Sequence, residues 1–193
     1  MKLLTQCATQ CVLALSLLSF IPATLAQEAA TPATPAPTAL DTAPTPSTIS
    51  AADKTFLEQA AAAGLAEKLA SEVISDITTT PHVDGYANWI IRAHSKMNSQ
   101  LQLLAHLKGV ALMPDLSKDD ATAIQTLVGR SGTDADAFYG QTFGIQVNEK
   151  AIKLFAAEIQ NGQDNQVQSF ATRMLPVLRT HLKAAQRVFG ADQ

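Results

Sequence analysis

Apolar residues recur at helical spacing through most of the chain beyond residue 50. Phe56, Leu57, Ala60, Ala63, Leu65, Leu69, Val73, Ile74 and Ile77 form the first run. Ser50 with Asp53 three residues on reads as its N-cap, and Thr78-Thr79-Thr80-Pro81 stops it, because the residue before a proline is pushed out of helical geometry. This predicts a helix over about 51 to 79. A second run carries Ile90, His94, Met97, Leu101, Leu104 and Leu107 toward one broad side. It predicts a helix over about 84 to 108, with Gly109 as a natural C-terminal stop.

Val110 to Leu116 connects to a short third helix that Ser117 and Asp120 cap and that ends near Gly129. A fourth helix is expected over about 134 to 161, capped by Thr133 with Asp136, and a fifth over about 165 to 188 before Gly190. Gly140 and Gly144 inside the fourth each cost about 1 kcal/mol relative to Ala. They mark either a close approach of a neighbouring helix or a kinked turn. Pro176 inside the fifth removes one backbone hydrogen bond and is expected to kink it. Nothing alternates with period two, so no sheet is expected. The chain is thus all-α: four long helices of about 37 Å each and one short connecting helix, packed as a four-helix bundle.

Before residue 50 the pattern changes. Residues 1–26 carry Lys2, an apolar run of roughly ten residues and a small-residue stretch ending at Ala26, the layout of a secretory signal peptide and too short for a membrane span. Residues 27–49 are almost wholly Ala, Thr and Pro and read as a flexible linker; the bundle domain then covers 50–193. Both cysteines, Cys7 and Cys11, fall within the leader, so the mature chain carries no disulfide. Its 193 − 26 = 167 residues hold 14 − 1 = 13 basic and 17 acidic side chains, a formal charge of −4. That balance has no electrostatic footprint for nucleic acid or for an anionic membrane. Export to the periplasm or outer membrane is the expected localisation.

Candidate chemistry centres on two histidines. Counted from a turn at about 162 to 164, His181 lies roughly 25 Å along one helix and Asn148 roughly 21 Å along the other, and His94 falls at a comparable height. With Met97 and Met174 nearby in sequence, these residues could form a central cluster. Imidazole with thioether suits copper(I), and imidazole suits zinc or iron. Equally, each histidine could be a half-buried packing residue hydrogen-bonded across the bundle. His82 and His106, at a turn and near a helix end, are expected in solvent. Asp134 and Asp136 match too few ligand positions for a calcium loop.

Several stretches carry a resemblance: Ser50 to Leu57, Ala63-Gly64-Leu65-Ala66-Glu67, His94-Ser95-Lys96-Met97-Asn98, Leu154-Phe155, and Leu175-Pro176 through His181-Leu182. Over about 50 to 188 the chain resembles the exported bacterial family called domain of unknown function 4142. That family is often labelled a predicted outer-membrane protein and is similar in fold to ferritin-like bundles. The resemblance implies a ferritin-like four-helix bundle and export, and it brings no established activity. Family members usually show Asp-His where this chain has Ala93-His94, and a histidine where it has Asn148. An inherited ligand set would therefore lack one carboxylate and one imidazole here.

A ferritin-type di-iron centre needs Glu-x-x-His on two helices, and the chain has none. A Gly-x-Ser-x-Gly elbow, a phosphate loop and a dinucleotide fingerprint are also absent. Two expectations follow, neither of them an enzyme of those types. One is a non-enzymatic envelope module that binds a protein partner or supports stress tolerance, with Arg179, Lys183 and Arg187 as a contact face and no cofactor. The other is a bundle that binds a metal ion or small ligand through His94 and His181. The oligomeric state is not encoded in any motif.

Overall fold

The computed structural model describes residues 49–190; residues 1–48 and 191–193 lie outside them, and with them the expected signal peptide and nearly all of the expected linker. Helix α1 spans Ala51–Ile77, α2 Pro81–Leu107, α3 Lys118–Val128, and α4 Gly132–Tyr139. A π-helical segment, Gly140–Val147, joins α4 directly to α5, Asn148–Asn161, and α6 runs Asn165–Phe189. Among the described residues there is no strand, and α1, α2, the α4–π–α5 helix and α6 pack as a helical bundle. None of these helices is long and apolar enough to cross a membrane.

Local chemistry sets most boundaries. Ser50 and Ser117 accept the N–H of Asp53 and Asp120 at 3.1 and 3.0 Å, each within the expected capping pair. Gly109, at φ 69°, closes α2: its N–H reaches His106 O and that of Val110 reaches Ala105 O at 2.8 Å. That is a Schellman stop, which only a residue free to enter the left-handed region makes cheaply.

Four expectations are corrected. Helix α2 begins at Pro81 rather than near 84, because a proline at the first helical position forfeits an N–H that has no intrahelical partner anyway. The cap of α4 is Ser131, not Thr133. Asp136 is engaged elsewhere, accepting the Thr78 and Thr80 hydroxyls at 2.7 and 2.6 Å and so tying the α1–α2 turn to α4. Leu107 is 67% exposed rather than on the inward side, as is neighbouring Leu103 at 62%. Finally, α1 turns inward a face of small residues, Ala60, Ala61, Gly64, Ala66 and Ala70, while Leu65 and Leu69 are half-buried. Small side chains let the neighbouring helices approach closely.

Gly140 and Gly144 combine both roles foreseen for them. They lie in the widened π turn, and the end of α6 packs on them: a Cβ at Gly140 would overlap the Phe189 ring, and one at Gly144 would lie 3.1 Å from Ala185 Cβ. Pro176 sits on the exposed side of a continuous α6, where water can take the carbonyl that its missing N–H leaves free.

The interior divides into two apolar clusters. One joins Phe56 and Leu57 to Met97, Leu101, Phe155, Phe170 and Leu178. The other joins Ile74 to Tyr86, Ile90, Tyr139, Phe143 and Ala185. On every long helix the residues between the two clusters include one buried polar side chain.

Candidate metal centre

That polar layer consists of Glu67, His94, Asn148 and His181, each 0 to 2% exposed. On α1, Glu67 falls between Ala61 and Ala70; on α2, His94 lies one turn past Ile90; on α6, His181 lies between Leu178 and Ala185. Each position belongs to the inward stripe of its helix, so packing of the apolar turns above and below drives these groups inside. Asn148 is delivered by the π segment. Its Nδ2 donates to Gly144 O at 3.1 Å and Phe143 O at 3.4 Å, carbonyls of the wide turn, and to Glu67 Oε2 at 3.0 Å. Such π segments recur at functional sites.

Glu67 Oε2 also lies 3.1 Å from His94 Nε2, without a hydrogen bond between them. The two imidazole centroids are 5.2 Å apart. One ligand atom from each of Glu67, His94 and His181 lies within 4.8 Å of the others. Six buried atoms of the layer have no hydrogen-bond partner: Glu67 Oε1, both ring nitrogens of each histidine, and Asn148 Oδ1. Unpartnered polar atoms in an interior are costly, and a cation shared by the mutually close donor atoms of Glu67, His94 and His181 would relieve part of that cost.

The surroundings of His181 disfavour its protonated form, which leaves it available as a metal ligand. Burial first, and the neighbouring His94 second, push His181 down to about 3, so its imidazole is neutral and its lone pair is free. Protonation of the unfolded chain near 6.5, its ordinary value, is therefore not matched in the folded chain until about 3. The sign follows: in metal-free protein this group costs stability as pH falls through that window and nothing above it. Compared with His181→Phe, wild-type stability in urea should drop by up to about 1.4 kcal/mol for each pH unit below 6.5. Parallel profiles for the two proteins would rule out a buried neutral His181.

Around the layer the phenols are spoken for or silenced. Tyr139 shares a 2.7 Å hydrogen bond with Ser71, whose hydroxyl donates to Glu67 O, and burial raises Tyr139 and Tyr86 well above the usual phenol range. Trp89, the chain's one tryptophan, stands edge-on to His181 at 4.8 Å.

The structure brings His94, Asn148 and His181 together. Met97 and Met174 instead pack with Leu101 and Phe170 in an apolar cluster, and His82 and His106 are exposed. Glu67 was not foreseen as a site residue. Its signal was present: a carboxylate on the same face as Ala60, Gly64, Ser71 and Ile74. Ala93 brings no carboxylate, and Glu67 supplies one from another helix.

Fold and site together define a helical bundle with a buried histidine–carboxylate layer. The chain belongs to the family described as domain of unknown function (DUF4142), whose model matches residues 37–188. In structure it is similar to a conserved hypothetical protein from Mycobacterium tuberculosis, with 17% identity and a TM-score of 0.56 over 74% of this chain and 93% of the other. At that identity the likeness concerns the fold alone. No curated protein matches the chain in sequence.

Proposed function

We propose that this protein is a metal-binding bundle that holds one divalent ion of the zinc or iron class between Glu67, His94 and His181. The observation that carries this reading is that one donor atom from each of three buried side chains, on three helices, lies within 4.8 Å of the others, in residues that hold unpartnered buried atoms. Two imidazoles and one carboxylate are the donor set that suits zinc or non-haem iron. Thioether-assisted copper(I) binding has less support, because both nearby methionines are built into apolar packing. A ferritin-type dinuclear centre has less still, since Glu67 is the single carboxylate in the group.

Complete burial of the donors supports a structural or carrier role over turnover of an organic substrate. Export to the envelope is part of the same reading and is supported by the leader-like residues 1–26 and the Ala/Thr/Pro-rich residues 27–49. A partner-binding envelope module has no observation of comparable specificity behind it.

Trp89 makes binding visible. Its ring touches His181, so titrating metal-free protein with zinc should change its fluorescence and saturate at about one equivalent, as should cobalt(II), whose visible absorption reports nitrogen and oxygen donors. A titration with no saturable change in fluorescence or in thermal midpoint sinks the reading.

A further inference from the structure

A second group of buried carboxyls lies at the end of the bundle where α1 begins and α5 turns into α6. Asp53 is 0% exposed and Glu158 6%. Asp53 is fully engaged: Oδ2 accepts the Ser50 hydroxyl at 2.7 Å and Oδ1 accepts the Gln163 N–H at 2.9 Å. Glu158 reaches the same α5–α6 turn from α5: its carboxyl lies against Gly162, next to the Gln163 amide that Asp53 holds, and its Oε1 is buried without a partner. The carboxyl is tucked so closely against Gly162 that a Cβ there would overlap it. At φ −59° Gly162 has no conformational need to be glycine, so the room it leaves for Glu158 is what the residue provides.

Two buried carboxyls that meet at one turn resist carrying charge together, and one proton between them relieves both. Asp53, with its donors, keeps the charge, and Glu158 keeps the proton. The other charges facing the pair reinforce this. Asp164 caps α6 and takes Lys108 Nζ at 2.6 Å, which leaves that cation committed, while Lys54 and Glu58 pair with each other along α1 at 3.7 Å.

We propose that Asp53 and Glu158 form a proton-operated latch, which fastens the first turn of α1 to the α5–α6 turn and loosens when the shared proton leaves. Loss of the proton puts two charges in contact and weakens the Asp53 hold on the Gln163 amide. The seam between α1 and α5, a shallow groove along Thr55, Phe56, Leu154 and Ala157, is what loosening would widen.

The direction of the pH effect is set by Glu158. Burial, then the hydrogen bond and charge of Asp53, then the charge of Asp164, push it up to about 7. Burial alone would raise Asp53 too, but the Ser50 hydroxyl, the Gln163 amide and the Glu158 proton outweigh it and hold Asp53 below its ordinary value. The latch is therefore closed in full below about 4.5, the ordinary glutamate value, and its contribution is lost as pH rises to about 7.

The test follows the Gln163 amide of the isotope-labelled full chain by NMR across the neutral range, in wild type and in Glu158→Gln. The amide variant keeps the shape and can donate to Asp53 but cannot ionise. In wild type the Gln163 shift should titrate with a midpoint near 7. Its exchange rate, corrected for the intrinsic pH effect, should rise on the order of a hundredfold between the two ends of the titration. In Glu158→Gln both should be flat. A wild-type midpoint in the ordinary carboxylate range, or the same titration surviving in Glu158→Gln, overturns the proposal. Should that variant not fold, the carboxyl carbon resonance of Glu158 in wild type decides alone, by the same two midpoints.

Discussion

Replacing His94 and His181 together by Gln is expected to abolish metal retention while leaving a folded bundle. Elemental mass spectrometry of untagged wild-type protein should find close to one zinc or iron per chain, and the double variant should hold less than about a tenth of that. Two of three protein donors are then gone, and the remaining carboxylate by itself is a weak site. The variant should fold because the imidazole nitrogens of the metal-free bundle make no hydrogen bond that would be lost. A ligand present at a hundred times its dissociation constant stabilises the folded state by about 2.7 kcal/mol. For a domain of this size that is a rise in Tm of roughly 5 to 10 °C, which zinc should confer on wild type and not on the variant. Glu67→Gln should weaken binding through the third ligand. Full occupancy in the double variant, or wild-type protein that refuses zinc and iron alike, would refute the metal centre.

A large effect on stability from a single methyl group is expected at Gly140. A Cβ there overlaps the Phe189 ring, which closes the far end of α6 by edge contacts to Tyr86 and Tyr139 at 5.3 and 5.7 Å. Gly140→Ala gains about 1 kcal/mol of helix propensity and must then expel or tilt that ring. Overpacking of this kind costs roughly 1 to 3 kcal/mol, and loss of the aromatic contacts adds to it. The net should be a loss of about 2 kcal/mol, read as a lower urea midpoint at unchanged slope. In a Phe189→Ala background the same substitution should cost less, because the ring is gone and only the Cβ of residue 189, 2.6 Å from the new methyl group, remains in its way. A stabilised Gly140→Ala single variant would show that close approach is not why the glycine is there.

Both predictions draw on features that were legible in the sequence to different degrees. Helix ends were readable where the cause lies within a few residues. The Ser50–Asp53 and Ser117–Asp120 pairs and the Gly109 stop each depend on a side chain or φ angle acting on its own turn. The level of His94, Asn148 and His181 along their helices was readable too, because helical rise is fixed and the connections are short. Asp136 shows where this ends. Its position three residues past Thr133 mimics a capping pair, yet its carboxylate serves two threonines more than fifty residues away, and no local spacing encodes that.

What the sequence determined by itself is therefore an all-helical chain with inward histidines at one height and a distinct Ala/Thr/Pro-rich N-terminal stretch. The tertiary structure decided that those histidines meet Glu67, that the methionines stay with the apolar packing, and that a π turn swings Asn148 onto the carboxylate. It also brought Glu158 of one helix and Asp53 of another to the same turn, at Gly162 and Gln163. The physical reason is range. Propensity, capping and periodicity act over one or two turns, whereas a shared proton or a common metal ion requires donor atoms from separate helices within a few ångströms, and packing alone sets that distance.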